Sequence, residues 1–182
     1  MLIKEPKWKS WVIDTPGAVF TSKLCQEIID LSKTLEQKES TVNNLITKED
    51  TIRQSTISWI PFDKMQPVYN DINDFIQRIN RNHFGEQAQV SSYSKGQFYE
   101  WHTDTRTNMQ EEPPVRKLSM TLLLNDPSEF EGGNLEIANN EFVPMKQGHA
   151  TIFASFLQHR VSPITRGVRK SLVMWFGGEP FK

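Results

Sequence analysis

Tyr93-Ser94-Lys95-Gly96-Gln97-Phe98-Tyr99-Glu100-Trp101-His102-Thr103-Asp104 is rich in aromatic residues and closes on a His-x-Asp pair. Aromatic side chains suit a pleated strand, on which successive residues point to opposite faces. His102 and Asp104 are therefore expected on one face, with Thr103 on the other. An imidazole and a carboxylate side by side can hold a divalent metal and leave coordination positions open. The same pair also arises by chance, as a surface histidine beside a turn aspartate. The rest of the chain has to supply the other half of a site.

Around this stretch the pattern is β. From Gln87 onward eight short strand-like runs follow one another, at roughly 88–94, 97–104, 117–125, 134–138, 141–145, 150–154, 157–161 and 169–176. Turn residues separate them: Lys95-Gly96, Asp126-Pro127, Gly132-Gly133, Asn139-Asn140, Gly148 and the segment from Pro163 to Gly167. Strands this short and closely spaced predict a sandwich, jelly roll or barrel. The polar connection 105–115 starts directly after Asp104 and is long for a compact fold, which predicts a lid.

The first half is mixed. Residues 8–13 predict a strand closed by Asp14-Thr15-Pro16-Gly17. Leu24, Ile28, Leu31 and Leu35 recur at helical spacing behind the N-cap residues Thr21 and Ser22, predicting a helix to about Gln37. The polar run 38–50 predicts an exposed loop, and 51–62 a strand stopped by Pro61. A second helix is expected after Asp63, with Met65, Val68, Ile72, Phe75, Ile76 and Ile79 as its apolar stripe. Pro67 falls in its first turn, where a missing N–H costs little. The two amphipathic helices would cover one outer face of the β structure.

At 182 residues the chain fits a single domain with a substantial core. Hydrophobic content of 37%, charged content of 24% and net charge of -1 are those of an ordinary globular protein. Nothing in the charge calls for nucleic acid or an acidic membrane as partner. No apolar run resembles a signal peptide or a membrane span, so a cytoplasmic protein is expected. Cys25, the one cysteine, excludes an internal disulfide and reads as a small buried hydrophobe.

Of the remaining histidines, His83 reads as a helix-end residue and His149 as a turn residue. His159 lies in Ile152-Phe153-Ala154-Ser155-Phe156-Leu157-Gln158-His159-Arg160-Val161, near the end of the β region. On the strand that follows, Arg169, Ser171, Val173 and Trp175 share one face. If His159 faces the interior, the turn at 163–167 can return Arg169 to it. A buried guanidinium needs an anion, and a carboxylate gripped by its fork is the natural candidate.

With His102, Asp104, His159 and Arg169 in this order, the chain resembles the iron(II)/2-oxoglutarate-dependent dioxygenases, and among them the prolyl 4-hydroxylase-like branch. The resemblance is carried by Tyr93-x-x-Gly96-Gln97-x-Tyr99-x-x-His102-x-Asp104, by Arg116-Lys117-Leu118-Ser119-Met120-Thr121-Leu122-Leu123-Leu124-Asn125, by Glu131-Gly132-Gly133-x-Leu135 and by His159-x-Val161-x-Pro163-x-x-x-Gly167-x-Arg169. It implies a double-stranded β-helix (jelly roll), placed here at 86–178; together with the stripes read above, the chain is expected to be mainly β with flanking α, 1–85 being a helical support region whose two N-terminal helices pack on one face. The resemblance further implies that His102, Asp104 and His159 bind Fe(II), that Arg169 grips the distal carboxylate of 2-oxoglutarate, and that Tyr93 hydrogen-bonds this cosubstrate. Thr121 and Leu123 would line the cosubstrate pocket. Dioxygen is the second cosubstrate implied, and ascorbate an optional addition.

The target residue implied is proline in a peptide or protein, met by Tyr99, Arg116 and Trp175, with succinate and CO2 released. Plain alternation places Tyr99 on the face opposite His102, so its role requires a twist or bulge. Leu118, Leu122, Leu124, Val161, Val173 and Trp175 could wall a water-poor pocket or simply pack in the core. Asp104 argues against the halogenating relatives, in which this carboxylate is missing. Trp175 stands where nucleic-acid demethylases of the superfamily carry a second arginine. The other readings are a hydroxylase of a free amino acid or small metabolite, a non-catalytic jelly-roll binding module, and a zinc hydrolase, which leaves Arg169 unexplained.

Overall fold

The computed structural model describes residues 12–43, 51–77, 84–105, 115–138, 141–143 and 145–178. Thr21 caps the first helix, α1 (Ser22–Thr34), its hydroxyl accepting from the Leu24 N–H at 3.2 Å. Before it comes a short strand, β1 (Val12–Asp14). The helix ends at Thr34 instead of near Gln37, and Leu35 is already extended. Residues 38–43 are not the expected loop but strand β2 (Lys38–Asn43), paired antiparallel with β3 (Thr51–Ile60). A strand added at a solvated edge has no apolar face to bury, so its sequence carries no alternation to read. Pro61 ends β3 as expected, and a 3-10 turn (Phe62–Lys64) leads into α2 (Gln66–Gln77).

The remaining strands are β4 (Phe84–Gly85), β5 (Ala88–Ser94), β6 (Phe98–His102), β7 (Val115–Leu123), β8 (Phe130–Gly132), β9 (Leu135–Ile137), β10 (Glu141–Phe142), β11 (Ala150–Ala154), β12 (His159–Val161) and β13 (Ile164–Gly178). All pairings are antiparallel, in the order β1-β11-β7-β13-β5-β3-β6-β12-β9-β10, with β2 on β3 and with β4 and β8 on β13. Two four-stranded layers emerge, β11-β7-β13-β5 and β6-β12-β9-β10. Strand β3 links them, pairing with β5 through Thr56–Ile60 and with β6 through Arg53 and Gln54. The layers face each other as a jelly roll.

Two further expectations are corrected. The segment 163–167 was expected as a turn, yet β13 already begins at Ile164 and pairs there with β8, itself absent from the expected strands. The 105–115 lid falls mostly on residues outside those described, as do residues 8–11 of the first strand, His83 and Ile79.

Alternation along β13 divides the molecule. Leu172, Met174 and Phe176 are fully buried toward the helices, where Cys25 and Ile28 of α1 and Ile72 and Ile76 of α2 meet Met120 and Leu122 of β7. Each such side chain contributes roughly 1.5–3 kcal/mol by leaving water. Both helices therefore cover one sheet face, as their stripes predict. Tyr69 ties α2 down: its buried hydroxyl donates to the Ile60 carbonyl and accepts from the Ala88 N–H. The other face of β13 carries Arg169, Ser171, Val173 and Trp175 into the space between the layers.

Candidate functional site

Between the layers lies a cleft of about 480 Å³. Strand β6 delivers His102 at its last residue, and β12 delivers His159 at its first, directly opposite in register. Asp104 lies two residues beyond the end of β6 rather than on the strand. Its N–H and that of Thr105 both donate to the Ser155 carbonyl, at 2.9 and 3.1 Å, which bends the carboxylate inward. The expected side-by-side placement is thus reached through a bend. Asp104 oxygens lie 3.7 Å from His102 Nε2 and 3.4 Å from His159 Nε2. One ligand atom from each of the three residues falls within 4.8 Å of the others, so the trio could hold a metal ion.

Hydrogen bonding fixes which atoms are offered. His102 Nδ1 meets the Glu100 carbonyl at 2.7 Å, and His159 Nδ1 meets the Leu157 carbonyl at 3.0 Å. A carbonyl only accepts, so each Nδ1 carries the proton and each neutral ring presents the Nε2 lone pair inward. Burial, and then the neighbouring His159, push the His102 pKa down to about 3. Burial works to raise Asp104, but the adjacent His159 and His102 and the Ser119 hydroxyl outweigh it and hold the carboxyl well below its ordinary value. A neutral His102 beside an ionised Asp104 is the pair of protonation states that metal ligation needs. Three acceptors converge on one point with no donor among them, an arrangement completed by a cation.

At the other end of the cleft Arg169 is 2% exposed. Its Nη1 donates to Ser171 Oγ at 2.9 Å, while its Nε has no partner. Tyr93 sits opposite it on β5, the ring centroid 6.0 Å from the guanidinium carbon. Thr121 reaches this cleft and also a smaller cavity of about 250 Å³ on the far side of Arg169, which Leu123 lines.

Tyr99 resolves its own difficulty. Between His102 and Tyr99 the β6 strand uses three residue steps where β12 uses two, and this bulge turns Tyr99 to the histidine's face. The two rings stack at 3.5 Å and 10°. Trp175 also lines the cleft, and Arg116 lies 4.1 Å over its indole ring, outside the cleft lining. Arg116 Nε and Nη2 donate to the two carboxylate oxygens of Glu86, at 2.6 Å each. Val161 and Val173 wall the cleft, whereas Leu122 and Leu124 belong to the helix-side core and Leu118 packs against it.

Residues 88–177 match the family model described as the 2OG-Fe(II) oxygenase superfamily. The chain belongs to that superfamily. A PKHD-type hydroxylase of Psychrobacter sp. (strain PRwf-1) is 34% identical over 93 residues, covering 47% of this chain and 35% of that protein. The chain thus spans little more than a third of that relative's length. Among solved structures, a prolyl-4-hydroxylase of Pseudomonas putida superposes with a TM-score of 0.70 at 20% identity, covering 93% of this chain and 94% of the other. The viral collagen prolyl hydroxylase of Paramecium Bursaria Chlorella virus-1, solved as its 2OG complex, gives 0.70 at 16% identity over 93% and 97%. At these identities the likeness is one of fold, a 2OG oxygenase jelly roll.

The residues of this superfamily member fit the two groups in the family's name. The His102, Asp104 and His159 donors suit iron(II), and the dry, half-satisfied Arg169 fork suits a carboxylate. Sequence reading missed Ser119, whose hydroxyl donates to Asp104 Oδ2 at 2.6 Å and touches Ser155 Oγ at 2.9 Å. It also missed Glu86, Arg53 and Phe153, the last edge-on to His159 at 4.6 Å. Ser119 and Arg53 reach the site from sequence-distant strands, Glu86 acts on it through Arg116, and Phe153 lies six residues before His159. Among the described residues no helix is long and apolar enough to cross a membrane.

Proposed function

We propose that the chain is an Fe(II)- and 2-oxoglutarate-dependent dioxygenase that hydroxylates a proline residue in a peptide or protein, releasing succinate and CO2. The observation that carries this reading is the presence, in one cleft, of three converging metal donors and a buried arginine with an unpartnered Nε. The PKHD-type relative supports a hydroxylase, and the prolyl hydroxylase structures support the choice of proline.

In this reading His102, Asp104 and His159 hold iron, their orientation set by two backbone carbonyls and by Ser119. With 2-oxoglutarate and dioxygen, bound iron supplies the oxidation that places one oxygen atom in succinate and the other in a substrate C–H bond. Arg169 grips the distal carboxylate, with Tyr93 beside it, and Thr121 and Leu123 shape the space around that grip. Leu135, Phe153, Val161 and Val173 keep water away from the reacting end. Trp175 presents its indole to the target ring, and Tyr99, stacked on His102 and overlaid by Arg53, offers its edge. Arg116, held by Glu86, fixes the plane of the Trp175 indole and contributes to the substrate surface through it.

Succinate formation and 2-oxoglutarate binding test the reading together. Arg169→Ala is expected to raise the 2-oxoglutarate requirement by roughly tenfold to a hundredfold, the scale of a lost charge-assisted pair, while metal still binds. An unchanged requirement, or loss of the metal as well, would remove Arg169 from the cosubstrate site.

A further inference from the structure

Arg53 enters the cleft from β3, at the point where that strand crosses from one layer to the other and pairs with Tyr99. Its guanidinium lies 4.8 Å over the Tyr99 ring, which stacks in turn on His102. Its Nε donates to Ser55 Oγ at 3.0 Å, the one side-chain hydrogen bond it makes among the described residues. No carboxylate among those residues pairs with it. The fork is thus held in place from one side and left open on the other.

The charges of the cleft make this notable. Arg116 is neutralised by Glu86. On the reading above, the iron dication, Asp104, the two carboxylates of 2-oxoglutarate and Arg169 cancel among themselves. Arg53 is the charge that remains, over the Tyr99 ring in the lining of the cleft. A guanidinium partly removed from water gains most from an ionised, bidentate partner.

We propose that Arg53 is a specificity-determining residue that binds a carboxylate of the substrate, close to the residue being hydroxylated. This deepens the prolyl hydroxylase reading and rests on it. The carboxylate can be an acidic side chain next to proline or the α-carboxylate of a C-terminal or free proline.

Calorimetric titration of protein loaded with Mn(II) and 2-oxoglutarate separates these sources. The four probes are a blocked glycyl-prolyl-aspartyl-glycine amide, its asparaginyl counterpart, an acetylated glycyl-proline with a free carboxylate, and the corresponding amide. One carboxylate-bearing probe is expected to bind about tenfold or more tighter than its neutral partner. Arg53→Gln should bring that ratio close to one, Arg53→Lys should retain part of it, and Arg53→Glu should prefer a lysyl peptide. Equal binding within both pairs, a preference that survives Arg53→Gln, or no binding of any probe would overturn the assignment. Failure of 2-oxoglutarate itself to bind the Mn(II)-loaded protein is a separate result, and it would overturn the underlying reading along with this one.

Discussion

Arg169 and Ser119 show what single residues contribute. A guanidinium 2% exposed with one hydrogen bond leaves the ligand-free protein with a buried, half-satisfied charge. Replacing buried ions by apolar residues of similar volume is often neutral or stabilising. Arg169→Met is therefore expected to melt at or above the wild-type temperature without ligand. With metal present throughout, wild type should gain about 5–10 °C from 2-oxoglutarate near a hundred times its dissociation constant, and the variant little. Thermal melts with and without 2-oxoglutarate check this, and an equal ligand shift in both proteins would contradict it. Ser119→Ala removes a donor to Asp104 and is expected to weaken metal binding by about 10- to 100-fold, read by metal titration. His102, Asp104, His159 and Arg169 were legible because their residue types and order are unusual together. Ser119, Arg53 and Glu86 were not, because each acts through a partner 15 to 46 positions away that only strand pairing brings near.

At the scale of elements, the bulge in β6 and the glycines before β9 decide where site residues end up. Gly133 has φ of 63°, and a Cβ there would stand 2.3 Å from Ile164 Cδ1 and 2.9 Å from Arg169 Cδ. Gly133→Ala should cost at least about 1–3 kcal/mol of stability through backbone strain alone and displace Arg169 besides. A lowered melting temperature together with weaker 2-oxoglutarate binding is the expected pair of results. Tyr69→Phe would leave the Ile60 carbonyl and the Ala88 N–H without their buried partner, costing about 1–3 kcal/mol, or roughly 3–10 °C in melting temperature. Strands β5, β7, β11 and β13 could be read from sequence because burial on one face or both leaves an apolar pattern. The edge strand β2 could not, since pairing there is carried by the backbone. The β13 segment at 164–167 was hidden because its turn-like residues belong to a strand whose partner, β8, is only three residues long.

The whole molecule divides into a helix-backed apolar layer and a cleft that holds the candidate site, and its alkaline stability reports the first of these. Burial pushes the Cys25 thiol up to about 11 from 9.0, and raises Tyr69 as well. The unfolded chain therefore loses these protons first as pH rises, so stability is full below about pH 9 and falls as pH climbs toward 11. Denaturant midpoints between pH 8 and 11 should decline, with a shallower slope in Cys25→Ala. The jelly roll and its helix backing were readable because periodicity and burial agree along most of the chain, while the pairing of β3 with both layers is a property of the closed fold alone. The most direct test of the proposed chemistry supplies purified protein with iron(II), 2-oxoglutarate, isotopically labelled dioxygen and proline-containing peptides. Peptide-stimulated succinate is expected, with one labelled oxygen atom in succinate and one on proline. Succinate formation that ignores the peptides, or a peptide of unchanged mass, would contradict the prolyl assignment, and no succinate at all would contradict the oxygenase.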